Sequence, residues 1–196
     1  MHTIKIFKWV ALAAAIAAAG PAMAAVRGKV VSLQANQLTV QGASGVQVVN
    51  LDADWSVGAV KPASIDAIKP GDLMAVPEVD TGGGHWRALV LDILTPKPPP
   101  PIGRRPYDLA PGSMQAIGAV ASVKRVADGV ELTLDMNGES HVIFAPSNVP
   151  MVENAQGSRD LVLVGTQVYL PAQAKPDGTL GSRRVVVGIE GAVPPI

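Results

Sequence analysis

Gly28-Lys29-Val30-Val31-Ser32-Leu33 leads into Leu38-Thr39-Val40, and in the other half of the chain Gly118-Ala119-Val120-Ala121-Ser122-Val123 leads into Leu132-Thr133-Leu134. The echo continues. Gly71-Asp72-Leu73-Met74-Ala75-Val76-Pro77 matches Gly165-Thr166-Gln167-Val168-Tyr169-Leu170-Pro171. A turn signal then precedes a basic, apolar segment in each half: Gly82-Gly83-Gly84 before Arg87-Ala88-Leu89-Val90-Leu91, and Asp177-Gly178 before Arg183-Arg184-Val185-Val186-Val187. Four matches in one order, their spacing growing slightly as loop insertions would cause, describe an internal repeat.

Each half reads as about five short strands. Val26–Leu33 and Leu38–Gln41 form a hairpin with Asn36 in its turn, and Val46–Leu51 makes a third strand. Ser64–Ile68 is expected to form one helical turn, stopped by Pro70 and Gly71. Leu73–Val79 and Trp86–Leu94 complete the set, and His141–Phe144, Leu161–Leu170 and Arg183–Ile189 repeat it. Many short strands between regular turns predict an all-β fold of two tandem, five-stranded β-barrels, since closure removes exposed strand edges. A sandwich is the alternative. Pro96, Pro98–Pro101, Pro106 and Pro111 separate the halves, and such a run favours an extended, semi-rigid spacer. The expected organisation is therefore a domain at 25–95, a proline-rich linker at 96–113 and a domain at 114–196.

The first residues carry an address. Lys5 and Lys8 precede the apolar run Trp9–Ala19, and Ala22-Met23-Ala24 has the small-x-small pattern of a cleavage site. Residues 1–24 are expected to be a secretory signal peptide cut after Ala24, giving a periplasmic or secreted protein. No cysteine follows the run, so a lipoprotein anchor is excluded. The chain has no cysteine at all and must be held by its apolar interior. Loss of Lys5 and Lys8 moves a balanced formal charge to about −2, which offers nucleic-acid phosphates no general attraction. No later segment reaches transmembrane length, and three Trp, two Tyr and two Phe are too few for the girdles of a membrane barrel.

Each half resembles a bacterial exported domain of uncharacterised function with an OB-like barrel, whose pattern runs Gly-x-Val-x-x-Val, Leu-Thr-Val, Gly-Asp-x-Val-x-Val and Asp-Gly-x-Leu. Gly28–Leu33, Leu38–Val40 and Ile68–Val76 carry the first three parts, and Asp177–Val187 the last. Gly165-Thr166 and Gly82-Gly83-Gly84 depart from it. These are turn and core motifs, so the resemblance implies an architecture and an envelope setting, not an activity.

Chemistry-bearing patterns are sparse. Ser140 and His141 are neighbours on a strand and point to opposite faces, so they form no dyad. Gly42-Ala43-Ser44-Gly45 lacks the nucleophile-elbow spacing, and Gly82-Gly83-Gly84 has no Lys-Ser/Thr or helix after it. Asp52 and Asp54, with His85, are the candidates for a metal-binding or hydrolytic centre, and hydrogen bonding to turn amides is the simpler use of the carboxylates. Neither a metal nor another cofactor is expected. The candidate ligand contacts are Trp55, His85, Trp86 and Arg87, aromatic platforms beside charge, against a plain role for both tryptophans as barrel plugs. Arg104, Arg105 and Tyr107 in the linker are expected to be exposed and are the candidate partner-docking segment. Taken together, the sequence favours a non-enzymatic binding or adaptor protein of the cell envelope, its partner an envelope glycan or protein. A purely structural envelope protein is the further alternative.

Overall fold

The computed structural model describes residues 23–95 and 100–195. The expected leader falls outside the described residues except for Met23 and Ala24, whose backbones pair with Gln173 and Ala172. Thirteen strands are described: β1 Met23–Gln34, β2 Gln37–Gly42, β3 Gly45–Pro62, β4 Leu73–Asp80, β5 Trp86–Ala88, β6 Leu91–Leu94, β7 Gly103–Pro106, β8 Met114–Val126, β9 Gly129–Met136, β10 Glu139–Pro146, β11 Met151–Ala155, β12 Gln167–Ala174 and β13 Leu180–Gly188. Short 3-10 turns at Ile65–Ala67 and Arg159–Leu161 precede β4 and β12. The fold is all-β, and among the described residues no helix is long and apolar enough to cross a membrane.

The strands pair across the proline stretch. β1 pairs with β2, β2 with β3, β3 with β13, β13 with β12, and β12 returns to β1, which closes a five-stranded barrel. Only the β3–β13 contact is parallel. Three strands of this barrel precede the linker and two follow it. The reciprocal set forms a second ring, β8–β9–β10–β5–β4 and back to β8, its parallel β10–β5 contact spanning Ile143↔Trp86 and Phe144↔Arg87. This corrects the expected division. Residues 25–95 and 114–196 do not each close around their own interior, because β4 and β5 leave the first half and β12 and β13 leave the second.

The interiors agree with the pairing. One core packs Val26, Leu38, Val49 and Trp55 against Val168, Leu170 and Val187; another packs Met74, Val76 and Leu91 against Leu132, Leu134 and Ile143. Separating the halves would expose several such side chains, each worth roughly 1.5–3 kcal/mol. The quoted Gly28 and Gly118 have a steric reason. A Cβ there would lie 2.1 Å from the Gln41 carbonyl oxygen and 2.7 Å from that of Asp135, where crossing strands come closest.

Three local expectations also change. β3 does not end at Leu51; it runs on to Pro62, and its distal part pairs with β11. Trp86–Leu94 splits into β5 and β6, and β6 pairs with β4 and β11. The linker is only partly a spacer. Arg104, Arg105 and the glycine before them retain the N–H groups that proline lacks, and Gly103–Pro106 pairs with Ile117–Met114 as β7. Tyr107 is half-buried beyond it. The Arg27 guanidinium donates to Asp108 Oδ1 at 2.8 Å and to the Tyr107 hydroxyl at 3.1 Å, and lies 4.9 Å from the Tyr169 ring centroid.

Where β3, β11 and β6 run side by side, a seam of Val60, Val152, Val186 and Ala192 is backed by Tyr169. Asp92 faces Val152 and Ala75 across its neighbouring strands and is fully buried. Among the described residues neither carboxyl oxygen has a hydrogen-bond partner. Burial therefore pushes this acid up to about 8, with the Arg184 charge opposing in part. The folded protein keeps a proton that the unfolded chain sheds near pH 4, so stability falls as pH rises from about 4 to about 8 and levels off above. At about 1.4 kcal/mol per unit the span is on the order of 5 kcal/mol. Asp92→Asn should remove that slope in denaturant titrations run at several pH values.

Exchange of strands makes a second expectation. Cutting the backbone at Pro101–Ile102, for instance through an inserted protease site, should leave two fragments that co-elute on gel filtration and part only in denaturant. Fragments that elute as independent folded monomers would show that the halves close separately.

Candidate functional site

Interior-facing positions recur every second residue along a strand. On β4 they are Met74 and Val76, and the next is Glu78; on β10, Ala145 and Ile143 are followed outward by His141; on β5, Ala88 is preceded by Trp86. These three side chains meet at one end of the second ring. β7 brings a fourth, because Arg104 lies opposite Ala116, an interior residue of β8.

Glu78 is fully buried and carries two partners. Arg104 Nε donates to its Oε1 at 2.8 Å. His141 Nε2 is 2.9 Å from Oε1 and 2.8 Å from Oε2. Facing a carboxylate, which can only accept, Nε2 acts as the donor. The Arg104 carbon Cζ lies 3.8 Å from the Trp86 ring centroid, and the His141 ring lies 5.9 Å from it, tilted by 56°. A buried carboxylate is thus held by two donors, one of them stacked on an aromatic face. Isolated in this setting, the anion would cost several kcal/mol. The arrangement is suited to holding a cation, and among the described residues no hydroxyl is bonded to His141.

The corresponding end of the closed barrel is different. β3 sets Val49 beside Leu180 as β10 sets Ile143 beside Trp86. Two residues before Val49 stands Gln47 where His141 precedes Ile143, and after Pro171 stands Ala172 where Glu78 follows Pro77. At these paired ends, the buried carboxylate and the imidazole stand in the second ring and have no counterpart in the closed barrel.

The residues proposed from sequence are dispersed. Trp55 is 4 % exposed and belongs to the closed barrel's interior, with the Arg159 guanidinium 4.5 Å from its ring centroid and donating to its carbonyl oxygen. It plugs the barrel and is not a groove platform. Trp86 is half-buried in the other ring, so the two tryptophans do not share a surface. His85 is exposed at the β4–β5 turn, where its backbone bonds to Thr81 and Gly82. Arg87 alternates with Trp86 and points away from the ring interior. Only Trp86 of that set belongs to the cluster.

Of the linker set, Arg104 and Arg105 are exposed as expected and Tyr107 is half-buried, but each side chain has a partner within the molecule: Arg104, 27 % exposed at its side chain, bonds to Glu78, Arg105 donates to Gln115, and Tyr107 is engaged by Arg27. The expected free docking segment is therefore mostly occupied within the molecule. Asp52 and Asp54 are also occupied. Arg183, bulged from the β3–β13 ladder, places Nε 3.4 Å from Asp52 and Nη2 2.6 Å from Asp54. The Arg183 hydrogen bond holds the Asp54 carboxyl below its usual range. His85 stands in the other ring, so these three do not form one centre, and among the described residues no group of three or more His, Asp or Glu is placed to hold a metal.

Glu78 and His141 escaped the sequence reading as a pair. The signal was present, since both keep the parity of the apolar residues beside them; what was missing was that β4 and β10, from different halves, line one ring. Comparison with known proteins found no matching family model, no similar curated protein and no similar solved structure.

His141→Ala would leave the Glu78 charge buried with one donor fewer. A loss of about 3 kcal/mol in unfolding free energy is expected, and Glu78→Gln in the same background should recover part of it.

Proposed function

We propose that the protein is a non-enzymatic binding or adaptor protein of the cell envelope, acting in the periplasm or outside the cell after removal of residues 1–24. The single observation that carries this reading is the end of the second ring, where Trp86 and a Glu78 carboxylate bonded to His141 receive one side chain, Arg104, of the extended segment β7. An aromatic face beside a buried charge is the chemistry of recognition, and here its polar groups are satisfied by each other and not aimed at a reacting atom. Nucleic acid is not the expected partner, given the slightly acidic balance; an envelope protein or glycan is.

The architecture supports an OB-like unit used twice. The closed barrel has the strand order of such a unit, with its first and fourth strands antiparallel and its third and fifth parallel. The repeat is supported by register, since Lys29 faces Gln167 where Ala119 faces Leu73. In this reading each half is one unit whose last two strands complete the other.

Mature protein immobilised on resin should retain a component from envelope extracts or cell-wall fragments, and Trp86→Ala should lose it. Retention of nothing, or equal retention by the Trp86 variant, would remove the binding role assigned to this end of the ring.

A further inference from the structure

We infer that the end of the second ring is a binding site for a guanidinium group, closed in the free protein by the chain's own Arg104, and that its ligand is an extended segment of another protein presenting an arginine side chain. The inference rests on the binding reading above and names the chemistry of the ligand.

Three observations lead there. The first is the composition of the seat. A fully buried carboxylate, an indole face and a neighbouring imidazole are what a planar, delocalised cation requires: an opposite charge in its plane and a π surface parallel to it. The second is how Arg104 occupies that seat. It reaches Glu78 through Nε alone, and Oε2 of the carboxylate is bonded only to His141. A guanidinium can satisfy a carboxylate with two parallel bonds, so this contact uses less than the site offers.

The third is the attachment of Arg104 itself. Among the described residues β7 pairs with β8 alone, through four residue pairs, and ends at Pro106; Pro101 and Ile102 before it are exposed. It is an edge strand, the kind of element that another extended chain can replace by pairing with the same partner. Arg105 adds one side-chain bond, to Gln115. The tether gives Arg104 an effective concentration in the millimolar range for short flexible links, so an outside arginine competes only when β7 lifts.

The test compares wild type with Arg104→Ala, each as the mature chain, titrated with N-acetyl-arginine amide. N-acetyl-norleucine amide serves as the uncharged control. The readout is the NMR shift of the Trp86 indole N–H. The variant should show saturable shifts with arginine and none with norleucine, at an affinity roughly tenfold or more above wild type, because the tethered competitor is gone. Glu78→Gln combined with Arg104→Ala should abolish them. Should Arg104→Ala fail to fold, Arg104→Met keeps the stem on Trp86 without the charge and is read the same way. Absence of saturable binding in a folded variant, equal binding of both amides, or binding that survives Glu78→Gln would overturn the inference. Arginine binding without retention of any envelope component would leave the inference standing and remove the adaptor role, whereas retention without arginine binding would do the reverse.

Discussion

Reciprocal loan of two strands is the constraint on which the rest depends. A strand trio can bury its apolar face only if two further strands arrive to close it, and in this chain they arrive from the other side of the prolines. The two interiors are consequently filled from both ends of the sequence: Leu170 and Val187 beside Leu38, Met74 and Leu91 beside Leu132. The antiparallel contact of β3 with β11, and the seam of Val60, Val152 and Val186, then join what the exchange has already entangled.

The same loan creates the chemically distinctive end of the second ring. Glu78 and Trp86 come from the first half, His141 and Arg104 from beyond residue 100, so neither half owns the cluster. Its polarity is tolerated because each group is matched: the carboxylate has two donors, and the guanidinium has an indole beneath it. Asp92 is the contrast, a carboxyl in an apolar seam with no hydrogen-bond partner among the described residues, which holds its proton where other acids have lost theirs.

Much of the local structure was legible in the sequence. The β1–β2 hairpin, the helical turn before Pro70, and the glycines of the repeated motif follow from alternation, turn chemistry and steric need. Closure was not legible, because alternation states which face of a strand is buried and is silent on which copy buries it. β7 was hidden by its surroundings: a tetrapeptide between prolines reads as linker until a buried Glu78 is found waiting for Arg104. The plug role weighed for Trp55 agrees with its burial in the closed barrel, while the reach of β3 past Asp52 and Asp54 was not legible, because it depends on the β13 strand that brings Arg183 to both carboxylates.

The proline stretch acquires a different meaning from this topology. A connector between independent modules sets only how far apart they roam. Here it joins elements that pair with one another, so its consequence is kinetic: by keeping both trios on one chain it lets each receive its closing hairpin from a tethered neighbour and not from a stranger. Folding is thereby made unimolecular, and promiscuous exchange between molecules, the hazard of any architecture built on borrowed strands, is held in check by proximity alone.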